Sequence, residues 1–139
     1  MEAIAYLFPG AVIGGVSAVH AAGWTTQFPR QTEIMIPKRR SFPAVDDAVI
    51  SMRPLSWMRA AKNWVATEGA VPWLNPAFAL ADCIDQNIWC PDPDDIEWDE
   101  VNASELRRAF HQFNIEVPED WSEELEYLDR DADQGDLML

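Results

Sequence analysis

Hydrophobic and polar positions divide this chain into short periodic pieces. Ala3 to Trp24 is a nearly uncharged apolar run, broken by Pro9-Gly10 and Gly14-Gly15. A short helix is predicted over Glu2–Leu7, and a second over Gly14–Ala22, where Val16, Val19 and Ala22 recur at helical spacing and Gly23 supplies a C-terminal cap. Thr32 to Ile36 alternates Thr32, Ile34 and Ile36 on one face with Glu33 and Met35 on the other, a half-buried strand closed by Pro37. Ala48–Met52 offers a second strand, which the segment Lys38 to Asp47 is long enough to return antiparallel to the first. Pro54–Thr67 is predicted as a helix with the stripe Leu55, Met58, Ala61, Trp64 and Val65, stopped at Gly69. Val71–Leu74 is expected to be an extended link. Asn75-Pro76 then joins a capping side chain to a first-turn proline and opens a helix to about Asn87. The predicted body is α+β, a small antiparallel sheet covered by helices.

Beyond residue 88 the pattern changes. Cys90 to Val101 carries two prolines and six acids, an extended acidic linker with Ile96 and Trp98 as candidate anchors. Asn102 or Ser104 can cap a helix through Phe113 with Leu106, Ala109, Phe110 and Phe113 on one face, and Glu119–Leu128 places Trp121, Leu125 and Leu128 above Glu123, Glu124 and Glu126. Asp129–Leu139 is expected to fray. The organisation expected is therefore a domain over 1–88 and, over 89–139, an acidic linker, two amphipathic helices and a frayed terminus. The apolar faces of those helices either complete the core of the body or dock on another protein.

Charge sharpens this division. The 139 residues carry a net charge of −14, yet residues 1 to 80 hold seven basic against five acidic side chains, whereas residues 81 to 139 hold three against nineteen. The acidic region repels phosphate backbones and favours basic protein partners, or serves as a solvated face; direct nucleic-acid binding is not expected. The apolar run has no basic residue before Arg30 and is interrupted by Pro and Gly, so it reads as buried core rather than as a signal peptide or membrane span. Cys83 and Cys90 fit neither a zinc pair nor a disulfide framework, consistent with a cytoplasmic protein.

Candidate chemistry is sparse. Ser17, His20 and Asp82 suggest a triad, but Ser17 lies in Gly-Gly-Val-Ser-Ala-Val rather than in a nucleophile elbow, so no catalytic residue is assigned. Asp92 to Glu100 alternates like a calcium loop for a few positions but lacks its glycine and closing glutamate. No metal or cofactor site is assigned. Lys38-Arg39-Arg40, with Arg30, is the one basic concentration, a candidate for phosphates or for the chain's own acidic tail; Arg53, Arg59 or Lys62 can extend it. The acidic helical face, Glu119, Asp120, Trp121, Glu123, Glu124 and Glu126, is the candidate partner surface.

Three segments carry a family likeness: Phe8-Pro9-Gly10-Ala11-Val12-Ile13, Ser17-Ala18 through Gly23 with Phe28-Pro29-Arg30, and Leu74-Asn75-Pro76-Ala77-Phe78-Ala79-Leu80-Ala81-Asp82. Over residues 1 to 88 the chain resembles the C-terminal domain of AbiE-type bacterial antitoxins, from phage-defence pairs whose toxin is a nucleotidyltransferase. Full-length members place a winged helix before this domain, whereas here Met1 falls inside the matching segment, so autoregulation by DNA binding is not expected. The resemblance implies a non-enzymatic protein that antagonises such a toxin, with direct contact through the acidic face as the favoured route. The alternative is an acidic DNA mimic or scaffold that blocks or recruits a basic, nucleic-acid-binding partner. A third possibility, an enzyme, requires a ligand-sized pocket that gathers His20, Asp82 and the arginines.

Overall fold

The computed structural model describes the backbone of residues 2–137 and the side chains of residues 2–130. In chain order the elements are α1 (Glu2–Leu7), β1 (Val12–Ile13), α2 (Gly15–Ala21), β2 (Thr32–Pro37), β3 (Ala48–Arg53), α3 (Leu55–Ala61), β4 (Val65–Thr67), β5 (Trp73–Leu74), α4 (Pro76–Asp85), α5 (Ala103–Gln112) and α6 (Glu119–Leu137). The fold is α+β, around a five-stranded mixed sheet of order β3-β2-β1-β5-β4.

The sheet is not the antiparallel pair expected. β2 and β3 run parallel in register from Thr32 opposite Ala48 to Pro37 opposite Arg53. Lys38–Asp47 does not turn back but crosses over one face of the sheet, where Phe42 and Val45 pack on a small core of Ile4, Phe8, Ile13, Ile34 and Ile36. Burial of those two side chains favours the crossover that a parallel pair requires. Asp47, at φ 60°, occupies the left-handed region at the turn into β3.

β2 is covered on both faces: Ile34 and Ile36 enter that small core, while Met35 enters the larger one beneath the helices. Three strands were not anticipated, β1, β4 and β5. β1, only two residues long, joins β2 to β5, and the expected link at Trp73–Leu74 is an inner strand. The helix expected over Pro54–Thr67 stops at Ala61, becomes a 3-10 turn over Lys62–Trp64 and then strand β4. Leu55 is consequently exposed, and Trp57 is buried instead.

The larger core centres on α4, whose residues Pro76 to Cys83 are all buried. Asn75 caps it, its side-chain oxygen accepting from the Ala77 N–H at 2.8 Å while its amide nitrogen donates to Glu105 of α5 at 3.3 Å. Phe78 lies against Trp57, Trp64 and Phe113, with ring centroids 5.3, 5.7 and 4.9 Å away. Leu106, Ala109 and Phe110 of α5 and Trp121 and Leu125 of α6 belong to this same core. The C-terminal helices therefore complete the body, and the apolar core runs across the compositional boundary at residue 88. α6 continues to Leu137, through most of the segment expected to fray; Met138 and Leu139 lie outside the described residues.

Candidate partner-binding surface

The acidic segment 90–101 is pinned rather than free. Thr25 forms a bridge with Ile96, its hydroxyl donates to the Asp95 carbonyl at 2.9 Å, and the Glu97 N–H donates to the Trp24 carbonyl at 2.7 Å. Ile96 is buried, and Trp98 donates to the Pro93 carbonyl at 2.9 Å while its ring meets Trp121 edge-on at 5.6 Å. The two expected anchors thus fix the segment against the start of α6.

This places Asp92 and Asp94 across a groove of about 250 Å³ from Asp120, Glu123 and Glu124. The ion pairs among the described residues are Arg53–Asp82 and Arg107–Asp129, so none neutralises these five carboxylates. Burial raises the pKa of the half-buried Cys90 thiol, and the charges of Asp92 and Asp120 raise it further. Glu119 and Glu126 are exposed outside the groove lining. Trp121 corrects the expected surface: it is 4% exposed in the core and is not available to a partner. Asp92 and Asp94 were missed as groove residues because only the tertiary fold brings the loop to the helix.

The basic candidates do not form one patch. Arg30 precedes β2 and Lys38 follows it, so six extended residues, roughly 20 Å of strand, separate them. Arg39 packs 5.6 Å over the Phe8 ring and donates to the Leu7 carbonyl at 3.4 Å, which ties it to the end of α1. Arg53 does not extend the patch either. It is buried, donating to Asp82 through Nε at 3.2 Å and Nη2 at 3.0 Å, with the Trp57 indole donating to the same carboxylate at 2.8 Å. Burial pushes the Asp82 carboxyl upward, against the pull of Arg53 and Trp57.

Nor do Ser17, His20 and Asp82 assemble. The Ser17 hydroxyl accepts from the Glu33 N–H at 3.0 Å, while the Ser17 N–H donates to Glu33 Oε2 at 3.0 Å. His20 stacks on Phe28 at 4.3 Å, and Asp82 is committed to Arg53 and Trp57. Glu33 lies at the first turn of α2, where burial raises its pKa against the hydrogen bonds it accepts there. Gly15, at φ +57°, admits that carboxylate: a Cβ there would meet Glu33 Oε2 at 2.5 Å. Among the described residues no group of acids, His and Cys is arranged to hold a metal ion, and no helix is long and apolar enough to cross a membrane.

The chain is similar in fold to the crystal structure of the RV2827C protein from Mycobacterium tuberculosis, with a TM-score of 0.50 and 16% sequence identity. That match covers 86% of this chain and 47% of the other, so the chain spans about half the length of that protein. At this identity the likeness concerns the fold alone. No protein-family model and no curated protein matches the sequence.

Proposed function

We propose that this chain is a non-enzymatic, antitoxin-like protein of the bacterial cytoplasm that antagonises a nucleotidyltransferase toxin by direct contact. The acidic groove between residues 92–94 and the first turns of α6 would face the basic surface with which such a toxin handles RNA. The observation that carries this reading is the convergence of five carboxylates on one groove without a cation among the described residues. Self-repulsion there is relieved when a basic partner docks, and the field of the acidic region raises the association rate. The family likeness is a second support: of the residues that bear it, Phe8, β1, most of α2, and β5 with α4 are core or strand residues, while Phe28 is exposed.

The test is co-expression with the adjacent gene of the native locus, scoring growth rescue and co-purification. Rescue with a stable complex is the expected outcome. Changing Asp92, Asp94, Asp120, Glu123 and Glu124 together to Lys should then weaken the complex by about a hundredfold, because like-charge contacts across an interface cost several kcal/mol. Unchanged affinity removes the acidic groove from the mechanism. A harmless neighbour and no complex would transfer the groove to the DNA-mimic or scaffold alternative, for which binding to DNA-binding proteins is displaced by DNA and falls steeply with salt.

A further inference from the structure

Beside the acidic groove lies a second, chemically different cleft of about 520 Å³, lined among others by Gln27, Phe28, Arg30, Glu33, Val49 and Trp89. Two exposed aromatic side chains line it, Phe28 at 79% and Trp89 at 64%, with Val49 43% exposed beside them. The cleft carries one basic and one acidic group, Arg30 at its edge and the half-buried Glu33 in its wall, so it is close to neutral where the neighbouring groove is strongly negative.

Chain geometry places the two close together. Trp89 precedes Asp92 by three residues, which limits their separation to about 11 Å even when fully extended. On the other side, the bridge between Thr25 and Ile96 and the bond from the Thr25 hydroxyl to Asp95 tie the segment leading to Phe28 to the one that bears Asp92 and Asp94. A near-neutral aromatic cleft bordered by a charged groove has the anatomy of an interface, an apolar anchor point with a charged rim.

We infer that Phe28 and Trp89 form the anchor of the partner interface, receiving a bulky apolar side chain from a basic segment of the partner protein whose Lys and Arg residues enter the acidic groove. This deepens the antitoxin reading and rests on it. Charge assigns the two halves: cations favour the groove, with five carboxylates, over the cleft, where Arg30 opposes them, and the apolar side chain finds aromatic cover only in the cleft. Phe28 and Trp89 are both exposed, so replacing them leaves the described cores intact.

The experiment compares the full-length chain with its Phe28→Ala/Trp89→Ala variant, each titrated with the purified product of the adjacent gene over a range of salt, with circular dichroism to verify the fold. The expected result is a loss of affinity of about thirtyfold or more, the scale of losing aromatic anchors, with the salt dependence retained because the groove is untouched. A complex of unchanged affinity in the variant overturns the anchor while leaving the antitoxin reading standing. No complex with either protein overturns both. Binding of single-stranded RNA to the chain, abolished by the same variant and competing with the protein partner, assigns the cleft to nucleic acid and also overturns the inference.

Discussion

Removing Asp82 should be among the most damaging single changes available to this fold. Its carboxylate, 1% exposed, accepts two bonds from Arg53 at the end of β3 and one from Trp57 in α3, so it joins the sheet and two helices through one side chain on α4. Asp82→Ala strands a buried guanidinium and a buried indole N–H, and breaking a buried pair from one side costs about 3–5 kcal/mol. That is a large fraction of the roughly 5–15 kcal/mol by which domains are stable. Arg53→Met leaves a carboxyl that can escape by taking a proton, so its deficit should be smallest in acid and grow as pH rises through the carboxyl's elevated pKa. Arg53→Met/Asp82→Leu removes both charges and strands only the indole, a cost of about 1–3 kcal/mol that added apolar packing offsets. The assay is urea unfolding at neutral pH, followed by tryptophan fluorescence and far-ultraviolet circular dichroism, with comparable m-values required throughout. An Asp82→Ala penalty under about 1 kcal/mol, or a double variant no more stable than Asp82→Ala, would refute the assignment of this pair as a desolvated, mutually dependent unit.

Other consequences are open to direct measurement. Gly15→Ala forces a side chain into the left-handed region and against Glu33 Oε2, so it should lower stability by more than about 1 kcal/mol in urea melts. Glu33, whose folded pKa is raised above its ordinary 4.5, binds a proton more tightly folded than unfolded; stability should decline as pH rises from about that value through the raised one, and Glu33→Gln should flatten this part of the profile in thermal melts against pH. Truncation after Val101 strips Leu106, Phe110, Trp121 and Leu125 from the core, each about 1.5–3 kcal/mol of burial. The shortened chain should therefore show no cooperative melt; a folded 1–101 fragment would mean that the body is autonomous.

Much of the secondary structure was legible because local signals agreed with tertiary need. Asn75-Pro76 and Asn102 cap the helices they were expected to cap, and Thr32–Pro37 and Ala48–Arg53 are strands. The failures have one physical source, contacts that only the assembled fold provides. Val12–Ile13 and Trp73–Leu74 are too short to show a period and become strands by pairing with each other and with β2 and β4, respectively. Val65 matched the apolar stripe of a helix, yet pairing with Leu74 drew it into the sheet. At the candidate site, the charge count identified the acidic region, but Trp121 was assigned to a surface because amphipathic periodicity does not say which face a neighbour covers. Phe28 and Trp89 were missed because nothing local distinguishes an aromatic side chain that remains outside.

The larger core gathers residues from Val12 to Leu125, and its central helix packs on α2 and on Trp57 and Trp64 before α5 and α6 complete its cover. Such distant partners raise the contact order, so this core should form slowly and only once α5 and α6 have docked. Until then the apolar flank of α4 is open to proteases. A substitution that weakens this docking should therefore lower the protein's steady-state level in cells before it touches any surface that a partner could contact.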